Sequence, residues 1–197
     1  MLPWINFFCL IISIVLFCYF YLLSIIPKKR EKEKGKKAWK QCAQFRIIAG
    51  GLEFVISINI FLWIWFPISS LNWKIHPNHW VGIVLSIAII IPGLIIMFKG
   101  IKDAGSETYK PSDQTKMYGG IYRYIRHPQT LGEFPIFIAF AFFVNSWFLV
   151  FILTIFVVIF VPVMIHYEEE DLIRRFGESY KKYQAATGAI LPKINKK

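Results

Sequence analysis

With 197 residues, 56% hydrophobic and only 18% charged, the chain is too apolar for an ordinary soluble domain and long enough for one helical bundle. Its net charge of +11 comes from basic residues that flank apolar runs in three separate stretches. That distribution follows a membrane surface and argues against a nucleic-acid partner.

The first apolar run, residues 3–26, is long enough for a hydrocarbon core of about 30 Å. It lacks a basic start and a small-residue cleavage site, so it is expected to be an anchor and not a signal peptide. The cluster "KKREKEKGKK" follows it and marks that end as cytoplasmic. The second run, 47–66, carries one acid, Glu53, which is costly in a membrane and hints at function. A structural role, facing Ser57 one turn on and pairing with a polar group of the inner loops, would also account for it.

The outer loop "PISSLNWKIHPNHW" carries Trp73 and Trp80 as interfacial anchors. Its His76 and His79 lack a third ligand, so no metal is expected there. The third run, 80–98, contains Pro92-Gly93, which should kink it. Cys9, Cys18 and Cys42 show neither metal spacing nor an obvious disulfide partner, and are expected to be packing residues.

The last run, 134–165, holds 32 residues. As one helix it would be roughly 48 Å long, too long to cross without severe tilt. Asn145-Ser146 in its middle suits a tight helical hairpin. With five spans and the N-terminus outside, 22 of the 23 basic residues lie in the cytoplasm and only Lys74 lies outside. Four spans would split them 15 to 8, so the positive-inside rule favours five. The expected fold is an all-α, multi-pass integral membrane protein of five transmembrane helices, N-terminus outside and C-terminus cytoplasmic. Residues 1–103 hold spans 1–3 and the basic loop; residues 104–197 hold a helical hairpin and two patterned cytoplasmic segments.

The second of those segments is predicted to be a helix over 166–183. Leu172, Phe176, Tyr180 and Tyr183 share one stripe, while Glu170, Asp171, Arg174, Arg175, Glu178, Lys181 and Lys182 lie opposite. Glu169 projects from the middle of the apolar stripe and Glu168 from its margin. A carboxylate aimed into a packed face needs a cationic or donating partner, such as Arg123 or Arg126. The first segment, "GGIYRYIRHPQTLGE", supplies such groups. Gly119-Gly120 permits a tight turn, Pro128 keeps His127 out of the α region, and Gly132 allows a backbone or ligand to approach closely. Snorkelling would explain the charge of Arg126 and His127, but not the flanking glycines and proline. Together the segments offer a carboxylate for an ammonium group, donors for a carboxylate and aromatic rings for a flat base, at the cytoplasmic membrane face.

With "GGIYRYIRHPQTLG", "EEEDLIRRFGESYKKY", "TGAILPKI" and the earlier "AGS" in this order, roughly residues 104–194 resemble the isoprenylcysteine carboxyl methyltransferase family, as a short prokaryotic member. The resemblance implies a cytoplasmic pocket for S-adenosylmethionine. It also implies methylation of the carboxylate of a prenylated cysteine or similar lipophilic acceptor, in a prokaryotic cell membrane. It points to Thr115, Lys116, Met117, Tyr122, His127, Pro128, Gln129, Thr130 and Glu168 as cofactor-binding. Helical phase and close approach add Glu169 and Gly132. Arg126, Glu168, Glu169 and Arg174 are the catalytic candidates, with Arg126 or Arg174 receiving the substrate carboxylate. Thr130 stands where the family usually has tyrosine, and Met164 where eukaryotic members have a substrate arginine. The alternatives are a phospholipid amine N-methyltransferase, a sterol-type membrane reductase, against which the EE helix argues, and a non-enzymatic scaffold.

Overall fold

The computed structural model describes residues 1–112 and 119–193. Among these there are seven α-helices, three short 3-10 turns and no strand. The helices are α1 (Leu2–Ser24), α2 (Pro27–Lys34), α3 (Lys37–Leu62), α4 (His79–Ala104), α5 (Pro128–Phe143), α6 (Trp147–Phe176) and α7 (Glu178–Ala186). Four of them, α1, α3, α4 and α6, are long and apolar enough to cross a bilayer. The 16 residues of α5 reach only about 24 Å, short of the hydrocarbon thickness.

The long apolar run does break where expected. Asn145 takes φ 59°, and the Ser146 hydroxyl accepts from the Leu149 amide to start α6. The Asn145 carboxamide also ties down the outer loop. It accepts from the Ile75 and His76 amides at 3.1 Å each and donates to the His76 carbonyl at 2.9 Å. One asparagine thus closes the hairpin and docks the loop before α4.

Two close helix pairs build the membrane part, α1 on α3 and α4 on α5. The second pair touches backbone to backbone. A Cβ on Gly93 would lie 2.8 Å from the Gly132 carbonyl, and one on Gly132 would lie 2.4 Å from the Gly93 carbonyl. Phe17 of α1, Phe134 of α5 and Phe156 and Phe160 of α6 form an aromatic cluster where three helices meet. Met164 is fully buried in this core, which suits its apolar side chain.

At the polar end the structure departs from the sequence pattern twice. The helix expected over 166–183 is broken at Gly177, whose φ of 57° favours glycine, so the chain turns between α6 and α7. Asp171, assigned to the polar side, is instead fully buried. It accepts from the amides of Lys28 and Lys29 at 3.1 and 2.8 Å and so caps the start of α2, satisfying donors that the helix cannot.

Candidate functional site

His127 is the hub of the polar end. Pro128 opens α5, and His127 sits before it with non-helical φ/ψ of −124° and 61°. Its amide donates to the Ala189 carbonyl at 3.0 Å, and the Arg126 amide donates to Gly188 at 2.9 Å. The tail after α7 is thereby laid alongside the segment. The preceding turn is held by Asp103, whose carboxylate accepts from the Ile121 amide at 2.7 Å beside Gly120, at φ 56°.

The imidazole bridges both glutamates of α6. Its Nδ1 lies 3.1 Å from Glu168 and its Nε2 lies 3.0 Å from Glu169. Only the imidazolium donates from both nitrogens. Burial opposes that charge, but the hydrogen bonds to Glu168 and Glu169 outweigh it and push His127 up to about 9.

The two glutamates have different surroundings. Glu169 is enclosed: it accepts from Arg126 Nε at 2.7 Å and Gln184 Nε2 at 2.6 Å besides His127. Arg126 also donates to the carbonyls of Gln184 and Thr187, so this cluster buckles the C-terminal segment to the start of α5. Helical phase rightly marked Glu169 as a carboxylate in a packed face, and its partner is Arg126, not the exposed Arg123. Glu168 meets His127 but lines a cavity of about 230 Å³.

That cavity draws on both halves of the chain. Tyr21 of α1, Ile25 just after it, and Arg46, Gly50 and Glu53 of α3 form one side. Tyr122, Arg126 to Thr130 and Glu133 face them, with Glu107 and Thr108 after α4 and Glu168, Leu172 and Arg175 on α6. Gln129 donates to Thr108 Oγ1 at 3.1 Å and to the Tyr122 hydroxyl at 2.9 Å. That hydroxyl donates to the Gly100 carbonyl at 3.3 Å, and burial pushes it above its ordinary value, so it remains protonated.

Of the residues singled out in the sequence, Tyr122, Arg126, His127, Pro128, Gln129, Thr130 and Glu168 line the cavity. Gly132 packs against α4 instead, Glu169 lies behind His127, and Arg174 is exposed and paired with Glu170 at 2.9 Å. Thr115, Lys116 and Met117 lie outside the described residues.

Arg46, Arg175, Glu107 and Glu133 are additions that the sequence reading missed. Arg175 pairs with Glu107 at 2.5 Å, both side chains buried, and its guanidinium lies over the rings of Trp39 and Phe176. Glu53 of α3 and Glu133 of α5 both line the cavity. A spacing signal was present: Arg46, Gly50 and Glu53 on α3, and Glu168, Leu172 and Arg175 on α6, both recur at i, i+4 and i+7.

Residues 78–179, just over half of the chain, match the model of the phospholipid methyltransferase family. A methanethiol S-methyltransferase of Pseudomonas deceptionensis is 27% identical over 154 residues, covering 72% of this chain. The chain spans only 57% of that relative's length. No solved structure gives a significant match.

Proposed function

The chain belongs to the phospholipid methyltransferase family, and we propose that it is an S-adenosylmethionine-dependent enzyme that methylates a lipophilic acceptor at the cytoplasmic membrane face. The observation that carries this is one cavity joining Glu168, His127 and arginines at its polar end to residues of the apolar helices α1, α3 and α5. The donor set suits the two charged ends of an amino acid attached to a nucleoside. The Glu168 carboxylate suits an ammonium group, arginine a carboxylate, and the rings of Tyr21 and Tyr122 a flat base. When bound, S-adenosylmethionine supplies a methyl group on a cationic sulfur.

The residues of the chain position and desolvate. His127, held by Glu169 on one nitrogen, fixes the Glu168 carboxylate with the other. Arg126 and Gln184 hold Glu169 in turn, so the carboxylate in the cavity is set by a buried network and not by a mobile side chain. A reaction between opposite charges that yields neutral products is favoured where bound substrates displace water from the cavity. Five spans, with α5 as the short fourth and the N-terminus outside, keep this polar end in the cytoplasm.

The resemblance read from the sequence makes the acceptor a prenylcysteine carboxylate, which needs no base because it is ionised at neutral pH. Glu53 and Glu133 favour a second reading, an amine or a thiol. Neither glutamate has an ion-pair partner among the described residues, and a carboxylate at this position can take the proton such a nucleophile must lose. The phospholipid family description and the methanethiol relative are in line with it.

The test is radiolabelled methyl transfer from S-adenosylmethionine by the purified protein in detergent, with farnesylated N-acetylcysteine, phosphatidylethanolamine and a small thiol compared across pH. Carboxylate methylation should be nearly flat with pH near neutrality, whereas amine or thiol methylation should rise. No saturable donor binding and no transfer to any of the three would overturn the proposal.

A further inference from the structure

We propose that Arg46 is the receptor for a carboxylate in this cavity, a role that rests on the methyltransferase reading. α3 starts well before its apolar run, so Arg46 stands on a regular helix, two turns before Glu53 on the same face. There its guanidinium is held by neutral groups. Nη1 donates to the carbonyls of Glu107 and Thr108 at 2.9 and 3.0 Å, and Nη2 donates to Ser24 at 3.5 Å. These contacts join the end of α1 to the turn after α4, and they orient the cation without neutralising it.

The other two arginines of the cavity are neutralised. Arg126 is paired with Glu169 and Arg175 with Glu107, each with both side chains largely buried. Among the described residues no carboxylate forms an ion pair with Arg46. Of the five guanidinium donors, three meet carbonyls, leaving Nε–H and one Nη2–H. Those are two adjacent donors of the kind a carboxylate engages with both oxygens. A lysine would bring the charge but not this fork.

The carboxylate has two chemical sources. It is either the amino-acid end of the methyl donor, whose ammonium Glu168 would meet on the opposite wall, or the carboxylate of the acceptor. A purely structural strut between α1 and the turn is the competing explanation, and binding distinguishes all three.

Titration calorimetry on the full-length protein in detergent would compare S-adenosylmethionine with decarboxylated S-adenosylmethionine, for wild type, Arg46→Lys and Arg46→Met. If the donor is the source, Arg46→Met weakens S-adenosylmethionine about 10- to 100-fold and leaves the decarboxylated compound unchanged, with Arg46→Lys between. If the acceptor is the source, both donors bind the variants as they bind wild type. The KM for farnesylated N-acetylcysteine then rises by a similar factor, while the inhibition constant of its carboxamide, which lacks the nucleophilic carboxylate, does not change. Equal loss of both donors in the variants overturns the role and leaves a strut. So does unchanged binding of both donors with an unchanged KM. Wild-type protein that binds neither donor overturns the methyltransferase reading, and this role with it.

Discussion

The bridge from His127 to Glu168 and Glu169 makes a prediction about pH. Folded His127 is raised from its ordinary 6.5 to about 9: burial alone would lower it, and the hydrogen bonds to the two glutamates more than reverse this. The charged form is therefore favoured by folding. Its contribution is fully present below pH 6.5 and is lost as pH rises through about 9. The difference of about 2.5 pH units corresponds to about 3 kcal/mol at roughly 1.36 kcal/mol per unit. His127 is 5% exposed, so solvent screening takes little from this figure. Chemical denaturation in detergent at intervals from pH 6 to 10 would measure it, comparing wild type with His127→Gln. Every other titrating group is common to both proteins, so the difference isolates His127. The wild-type advantage should shrink by about 3 kcal/mol between pH 6 and pH 10. A difference that stays constant with pH, or grows as pH rises, would refute the assignment of an imidazolium shared by two carboxylates.

Glu169→Ala should cost about 3–5 kcal/mol of stability, because it leaves the buried Arg126 without its carboxylate and takes one of the two partners of His127. Glu168→Ala should lose donor binding at a smaller cost in stability, and calorimetry with denaturation separates the two. Gly132→Ala should lower the melting temperature because its Cβ meets the Gly93 carbonyl at 2.4 Å, whereas Gly50→Ala, with nothing within 4 Å, should not. Arg174→Ala, which removes an exposed pair with Glu170, should leave methyl transfer unchanged and stability within about 0.5 kcal/mol. Glu133→Gln should leave donor affinity intact; it should slow transfer to an amine or thiol at neutral pH but not transfer to a carboxylate.

Much of this molecule is legible in one dimension. Apolar run lengths place the long helices, because a bilayer sets the length a helix must have. Asn145-Ser146 marks the hairpin because a residue that tolerates positive φ and a hydroxyl cap are local requirements. The His-Pro step and the glutamate pair mark the polar site for similarly local reasons. Helical phase alone identified Glu169 as an acid in a packed face, but not what it would meet there.

What the sequence left open depends on which side chain a neighbour has already taken. Arg174 and Arg175 are adjacent and chemically alike, yet one is solvated and the other lies buried against Glu107, 68 residues away in sequence. Glu168 and Glu169 are likewise chemically alike, and helical phase separates their positions but not their roles; those are set where Arg126 and Gln184 enclose Glu169 and the cavity opens before Glu168. Arg46 had no motif to mark it. Its charge matters because the fold surrounds it with carbonyls and pairs Glu107 with Arg175 and Glu168 with His127. Periodicity and local backbone chemistry determine where helices begin, end and face, whereas the pairing of buried charges depends on contacts between distant segments and only the tertiary structure decides it.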